Sequence, residues 1–344
     1  MKKLLLVLYI APTLFYAQQS YYDDVDLTLT GQALYDELQQ KVAVFNENYT
    51  YGEFRDSLIF TDNNPQNSTE VVLTYGFNDT DGDCTTDRTR DNELFGGAVC
   101  EFNREHVFAR SLADPPMGPA ENDLTGIVAD PHNLRATDVQ RNGIRGSRLF
   151  DDATGNSRVL GNGNWYPGDE WKGDVARVIM FMFLRYEDRC LPTFTGTGAF
   201  EGDTEMLQLF LEWNAEDPVS DIEEQRNPQL EIEYGSRNPF IDNPALATVI
   251  WGGTPAEDIW GILLSTEAFD PFSFSISPNP AQDFVTITTT SPVQEITIYD
   301  IIGRVIYNTK NSSLSTTITI GTQDIPNGIY LVEIDDTVQR LIVQ

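Results

Sequence analysis

Glu105 and His106 stand side by side in "NREHVFARS", and the only other histidine, His132, follows 26 positions later in "DPHNLRATDVQRNGIRG". A carboxylate at Glu105 and an amide oxygen at Asn133 suit a hard cation such as Mg²⁺, which keeps several waters and takes one or two protein ligands. His106 is then free for proton transfer. Its ordinary pKa, about 6.5, leaves much of it neutral near neutrality and able to deprotonate a water. His132, beside a candidate ligand, reads as a packing or supporting residue rather than the base. Between 131 and 150, Arg135, Arg141, Arg145 and Arg148 face a single acid, Asp138. Such a local excess of positive charge can hold a phosphate at short range.

Other chemistries find no support. There is no G-x-S-x-G elbow, Walker loop or G-x-G-x-x-G, and "VFAR" after His106 supplies no second histidine for a zincin helix. Three cysteines at these spacings do not make a zinc knuckle.

Two elements must position the candidates. A strand over 102–108 would point Glu105 and His106 to opposite faces, so a bend or bulge is needed to bring both towards one phosphate. The second segment reads as a helix, with Asp130 as N-cap, Pro131 in the first position and Gly143 at its end. Asn133 would then lie in the first turn, where free N–H groups and the helix dipole also favour an anion. Around these, "LTGQALYDELQQKVAVF" is an amphipathic helix candidate, and "GDVARVIMFMFLRYEDR" places Val175, Val178, Ile179, Met182 and Tyr186 on one core-facing side. "TEMLQLFLEWNAEDP" is a further helix, stopped before Pro218. "NDTDGDCTTDRTRDNE" places Gly82 wrongly for an EF-hand and reads as an acidic surface turn.

The chain starts with two lysines and a 14-residue apolar run, Leu4 to Ala17, too short to span a bilayer and read as a secretory signal over 1–17. No later apolar run is long enough for a membrane span. Cys84 and Cys100 could close a modest acidic loop, while Cys190 could be a buried thiol or the true partner of one of them. The formal charge is -31, and loss of Lys2 and Lys3 with the signal makes it -33. That acidity repels polyanions at long range, so a nucleic acid substrate would have to be held by the local arginines. Residues 18–265 read as one mainly helical domain and 266–272 as a linker. From 273 to 344, short alternating runs such as "FVTITT", "EITIYDI" and "GIYLVEI" between turn signals describe a small all-β sandwich without a catalytic constellation. The fold class is therefore α+β.

"SISPNPAQDFVTI", "ITIYDIIGRVIY", "IPNGIYLVEI" and the terminal "RLIVQ" resemble the C-terminal sorting domain of the type IX secretion pathway. That resemblance implies recognition by the type IX machinery and release to the medium or surface of a Gram-negative bacterium. "NREHVFARS", "DPHNLRATDVQRNGIRG", "KGDVARVIMFMFLRYED" and "GSRNPFIDNP" resemble, in order, the motifs of the endonuclease I family, secreted or periplasmic nucleases with a ββα-metal (His-Me finger) site. The resemblance spans most of 22–245. It implies a Mg²⁺-dependent endonuclease, open to other divalent cations, that cleaves DNA and by the same chemistry RNA. His106 would be the general base, Glu105 and Asn133 the metal ligands, and the products 5'-phosphates.

Asn142 and Arg145 match the family's N-x-x-R, which implies support of the site or a phosphate contact, with Arg145 as a catalytic candidate. The family's Pro after "EHV" is Ala109 here. The loop from Asp114 to Asp123 is short and acidic, and an arginine that some relatives carry in it, on the cleaved phosphate, is missing. Arg110, Arg145 or Arg148 would replace it, with Arg135 as a further substrate-binding candidate. Asn238, in "GSRNPF", is expected to pack beneath the site. Two other readings are an extracellular ribonuclease and a surface-displayed nucleic-acid binder that has lost activity; the intact Glu105, His106 and Asn133 set speaks against the binder, which has no need of a base.

Overall fold

The computed structural model describes residues 20–265, 274–289, 295–310, 315–334 and 337–344. The expected leader (1–17) and linker (266–272) lie outside them. The chain divides after Ser265 into two units, and together they are α+β.

The first unit carries α1 (Gly31–Val42), α2 (Tyr51–Thr61), a three-stranded antiparallel sheet of β1 (Asn63–Asn64), β2 (Asn67–Val72) and β3 (Thr89–Asp91), and then the antiparallel ribbon of β4 (Phe102–His106) and β5 (Leu134–Asp138). The ribbon runs directly into α3 (Val139–Arg145). A two-stranded β6 (Arg158–Val159) and β7 (Trp165–Tyr166) precede α4 (Lys172–Tyr186), α5 (Gln208–Glu216), α6 (Asp221–Tyr234), α7 (Pro239–Asp242), α8 (Ala245–Trp251) and α9 (Ile262–Ser265).

Leu34, Tyr35, Leu38 and Val42 make the buried stripe of α1 at the expected spacing. In α4 the burial goes further than one face. Every residue from Gly173 to Leu184 is buried, because the helix runs through the middle of the main apolar cluster. Complete burial also takes in Asp174 and Arg177. Arg177 forms a bidentate pair with Glu223 (2.8 and 2.6 Å), and Asp174 accepts from Arg135 at 3.2 Å. Such pairing is what makes buried charge tolerable.

The helix expected from 131 to 143 is not formed. Asp130 does cap, its carboxylate accepting from His132 N at 2.9 Å, but it caps one short turn, Pro131–Asn133. The chain then extends as β5, because Leu134 and Ala136 join Phe102, Phe54, Leu58 and Leu230 in a second apolar cluster. Asp138 starts the real helix, accepting from Gln140 N and Arg141 N (both 2.9 Å), and α3 passes through Gly143 to end at Gly146, whose φ of +54° favours glycine. The longer range of tertiary pairing overrides good local punctuation here.

A disulfide joins Cys84 to Cys100, and Cys190 is a buried free thiol. The second unit has two antiparallel sheets, β11 (Val305–Lys310), β10 (Glu295–Asp300), β13 (Gly328–Ile334) and β14 (Thr337–Val343) in one, and β12 (Thr317–Gly321), β9 (Phe284–Thr289) and β8 (Phe274–Ser277) in the other. Ile287, Ile296, Ile298, Val332 and Leu341 lie in a single core cluster fed by both sheets. Among the described residues no helix is long and apolar enough to cross a membrane.

Candidate active site

The ribbon holds the Glu-His pair in register. Glu105 faces Arg135 and His106 faces Leu134, where the ladder ends. Beyond it the chain bends, and Asn133 fixes the bend. Its Oδ1 accepts from Phe108 N at 2.7 Å and its Nδ2 donates to Phe108 O at 3.1 Å, while Val107 N donates to Asn133 O. Glu105 and His106 thereby line one open cavity of about 530 Å³, together with Tyr51, Arg104, Arg110, Asn142 and Arg145.

His106 is 7% exposed, and its Nε2 lies 2.9 Å from the carbonyl oxygen of Val128. A carbonyl can only accept, so Nε2 carries the proton and Nδ1 is the bare nitrogen of the neutral ring. Burial, then the charges of Arg110, Arg104 and Arg145, push its pKa down to about 3, against the pull of the Val128 bond. The Tyr51 ring stacks on the imidazole (centroids 5.5 Å apart, planes at 18°), and the Arg104 guanidinium lies 3.5 Å from the centroid of Tyr51.

Glu105 is equally buried. Its Oε1 accepts from the Tyr75 hydroxyl at 3.3 Å and pairs with Arg145 Nη1 at 3.2 Å; Oε2 has no partner among the described residues. Burial raises its carboxyl to about 7, with Arg145 and Tyr75 opposing the rise. Tyr75 reaches it from a left-handed backbone conformation (φ 74°) of a kind that side chains rarely adopt.

Asn142, on α3, donates from Nδ2 to Asn103 Oδ1 at 2.8 Å and more weakly to Arg104 O, which leaves Oδ1 without a described donor. It shares the cavity with Glu105, and Asn133 does not. Asn133, the expected metal ligand, is fully buried, and both ends of its amide are engaged by Phe108.

The arginines also sort differently from their spacing in the sequence. Arg145 is fully buried and bonds to the carbonyls of His106 (3.1 Å), Val107 (2.6 Å) and Gly146 (3.1 Å), so it holds the backbone of the pair rather than reaching out of the cavity. Arg135 is buried between Asp62 and Asp174, which removes it from the substrate-binding candidates. Arg141 bonds inward to Thr85 O and Ser157. Of the four arginines between 131 and 150 only Arg148 is exposed, and it lies outside the cavity lining. The cavity's positive charge comes instead from Arg104, Arg110 and Arg145. Arg104 stands inside the "NREH" motif, where its own spacing gave no sign of its place; Tyr51 and Tyr75 are upstream and carry no local signal at all.

His132 is buried against Phe181, its Nε2 within 3.1 Å of Ser236 O. Burial pushes its pKa down to about 3 as well. Asn238 caps α7 through Phe240 N (3.0 Å) and donates to Arg177 O (2.9 Å). Both are core supports, and neither lines the cavity.

A neutral imidazole, an under-satisfied carboxylate and a cluster of arginines meet in one open cavity. The family model for Endonuclease I matches residues 30–245, and that for a secretion system C-terminal sorting domain matches residues 275–344. The chain is 36% identical over 256 residues to the extracellular ribonuclease of Bacillus subtilis (strain 168), covering 70% of this chain and 82% of that protein. It is 37% identical over 217 residues to the extracellular ribonuclease of Bacillus amyloliquefaciens, covering 59% and 68%. The chain belongs to the endonuclease I family and carries a type IX secretion sorting domain.

Proposed function

We propose that this protein is a secreted, divalent-cation-dependent endonuclease that hydrolyses phosphodiester bonds of DNA and RNA without sequence preference, the ribbon and α3 serving as its ββα-metal motif. One observation carries the reading: the bare Nδ1 of a neutral His106, with Nε2 held by Val128, in the same cavity as the free oxygens of Glu105 and Asn142.

The donor set fits a hard cation. No three His, Cys, Asp or Glu side chains among the described residues gather into a cage, which suits an ion such as Mg²⁺ that keeps most of its waters. Glu105 and Asn142 would hold it. A carboxyl raised by burial with one oxygen unengaged is the state that a neighbouring cation relieves. Bound there, the cation would supply positive charge for the phosphate and the departing oxygen.

The chain's own groups do the rest. His106 Nδ1 takes a proton from water, the water oxygen bonds to phosphorus, and the bond to the 3'-oxygen breaks, leaving a 5'-phosphate and, after protonation, a 3'-hydroxyl. Arg145 keeps Glu105 and the His106 carbonyl in place throughout. Because water is the nucleophile, no 2'-hydroxyl is needed. A preference for RNA is the second reading, favoured by the likeness to two Bacillus extracellular ribonucleases.

Plasmid and RNA at equal nucleotide concentration test both. The secreted protein is expected to cut each, a chelator to stop it, and His106→Ala to lower kcat about 10²–10⁴-fold with unchanged circular dichroism. Full activity in that variant would remove His106 from the reaction.

A further inference from the structure

The proposed function leaves unassigned the cation that meets the cleaved phosphate, and three cavity arginines plus Arg148 are available. Arg145 is fully buried and its two terminal nitrogens are tied to Glu105 and three carbonyls, although its Nε has no partner among the described residues. Arg104 donates to Tyr51 O and to Asn122 Oδ1 and sits 3.5 Å from the Tyr51 ring centroid, so its guanidinium is tied to the cavity wall. Arg148 is exposed and outside the lining.

Arg110 differs from all three. It lines the cavity, is half-buried, and has no carboxylate partner among the described residues. Its one described side-chain bond is from Nη1 to Gly118 O, so of an arginine's five N–H donors four remain for a ligand.

Its position is also firmly held. Arg110 O accepts from Met117 N at 3.0 Å, so main chain and side chain both close the 110–118 loop. Arg189 clamps that loop from outside through Pro115 O (3.1 Å) and Pro116 O (3.3 Å), and its own carbonyl accepts from Asp114 N at 3.1 Å. A fixed guanidinium with a free fork beside the base matches the planar, bidentate recognition of phosphate oxygens.

We infer that Arg110 is a catalytic residue that binds the non-bridging oxygens of the scissile phosphate, taking the place of the arginine missing from the 114–123 loop. The inference rests on the proposed function and deepens it. Charge on those oxygens grows towards the transition state, so the contact acts on kcat more than on KM.

The test compares Arg110→Ala, Arg110→Lys, Arg148→Ala and His106→Ala in the full-length secreted protein on one DNA polymer. Arg110→Ala is expected to lose about 100-fold in kcat with KM changed less than about threefold. Added guanidinium ion should recover at least about tenfold of that loss, and Arg110→Lys should fall between the two. Arg148→Ala, at an exposed residue outside the cavity lining, should leave kcat and KM close to those of the unsubstituted protein. If Arg110→Ala keeps wild-type kcat while His106→Ala is inactive, the site stands and the assignment of Arg110 falls. A loss that guanidinium does not restore would make Arg110 a support of its loop and overturn the inference as well. If His106→Ala is itself fully active, the reading of the whole cavity fails first.

Discussion

The two units bury their residues by opposite rules. The sandwich core is aliphatic and aromatic, built from Ile287, Ile296, Ile298, Val332, Leu341 and their neighbours. The nuclease unit also has a large apolar core, yet it places Asp62, Asp130, Asp174, Glu223, Arg135, Arg145, Arg177 and Arg226 inside. An apolar core tolerates small slips, since hydrophobic burial is non-directional. Ion pairs with hydrogen bonds do not, because a misplaced buried charge is costly. The unit that holds the proposed base and carboxylate is the one that buries many ion pairs.

Removing one buried charge should have the largest effect on stability. Glu223→Gln keeps the shape but breaks the bidentate pair with Arg177, and is expected to cost about 3–5 kcal/mol. All five tryptophans, from Trp165 to Trp260, lie in the nuclease unit, so denaturant unfolding followed by their fluorescence reads this loss directly. The double variant Arg177→Met with Glu223→Met should recover much of it.

Next comes the contrast between two asparagines. Asn142→Ala should lower kcat at least about 100-fold, equal to about 2.7 kcal/mol, and weaken Mg²⁺ binding by calorimetry, with little change in melting temperature. Asn133→Ala should instead lower the melting temperature, since it unties the bend after His106. Reversed outcomes would return the ligand role to Asn133.

In the sandwich, Ile298→Val removes one methylene and should cost only about 0.5–1.5 kcal/mol, read from the exchange of amide hydrogens in β10. A cost as large as that of Glu223→Gln would dissolve the contrast between the two cores.

Another effect is a slope, small at each step of pH. The folded pKa of His132, about 3, lies below the ordinary value near 6.5, so as the pH falls the unfolded chain takes up the proton first. Its contribution to stability is complete above about pH 6.5 and declines from there towards pH 3, by up to about 1.4 kcal/mol per pH unit. The gap between wild type and His132→Gln should therefore vary with pH in that window and stay constant above it.

Much of this was readable from residues alone. The Glu-His pair, the buried faces of α1 and α4, the strands of the sandwich and the family's motifs are all local patterns. What escaped depended on partners far away in sequence. Asp130 and Pro131 are sound helix signals, but burial of Leu134 and Ala136 against Phe54 and Leu230 decides for a strand. Two asparagines nine positions apart offer the same amide, and only the backbone of Phe108 shows which is occupied. Arginine spacing gave the right count of cations in 131–150 but not that Arg135 faces Asp62 and Asp174.

The ring of Tyr51 over His106, with Val128 holding the far nitrogen, gives the imidazole a single pose before any substrate arrives. In the proposed reaction no rotamer search then precedes proton transfer, and orientation is settled during folding rather than at each encounter. Under that proposal an enzyme meeting an endless series of near-identical linkages along one polymer has its base ready at every one of them, whichever nucleotide flanks the cut.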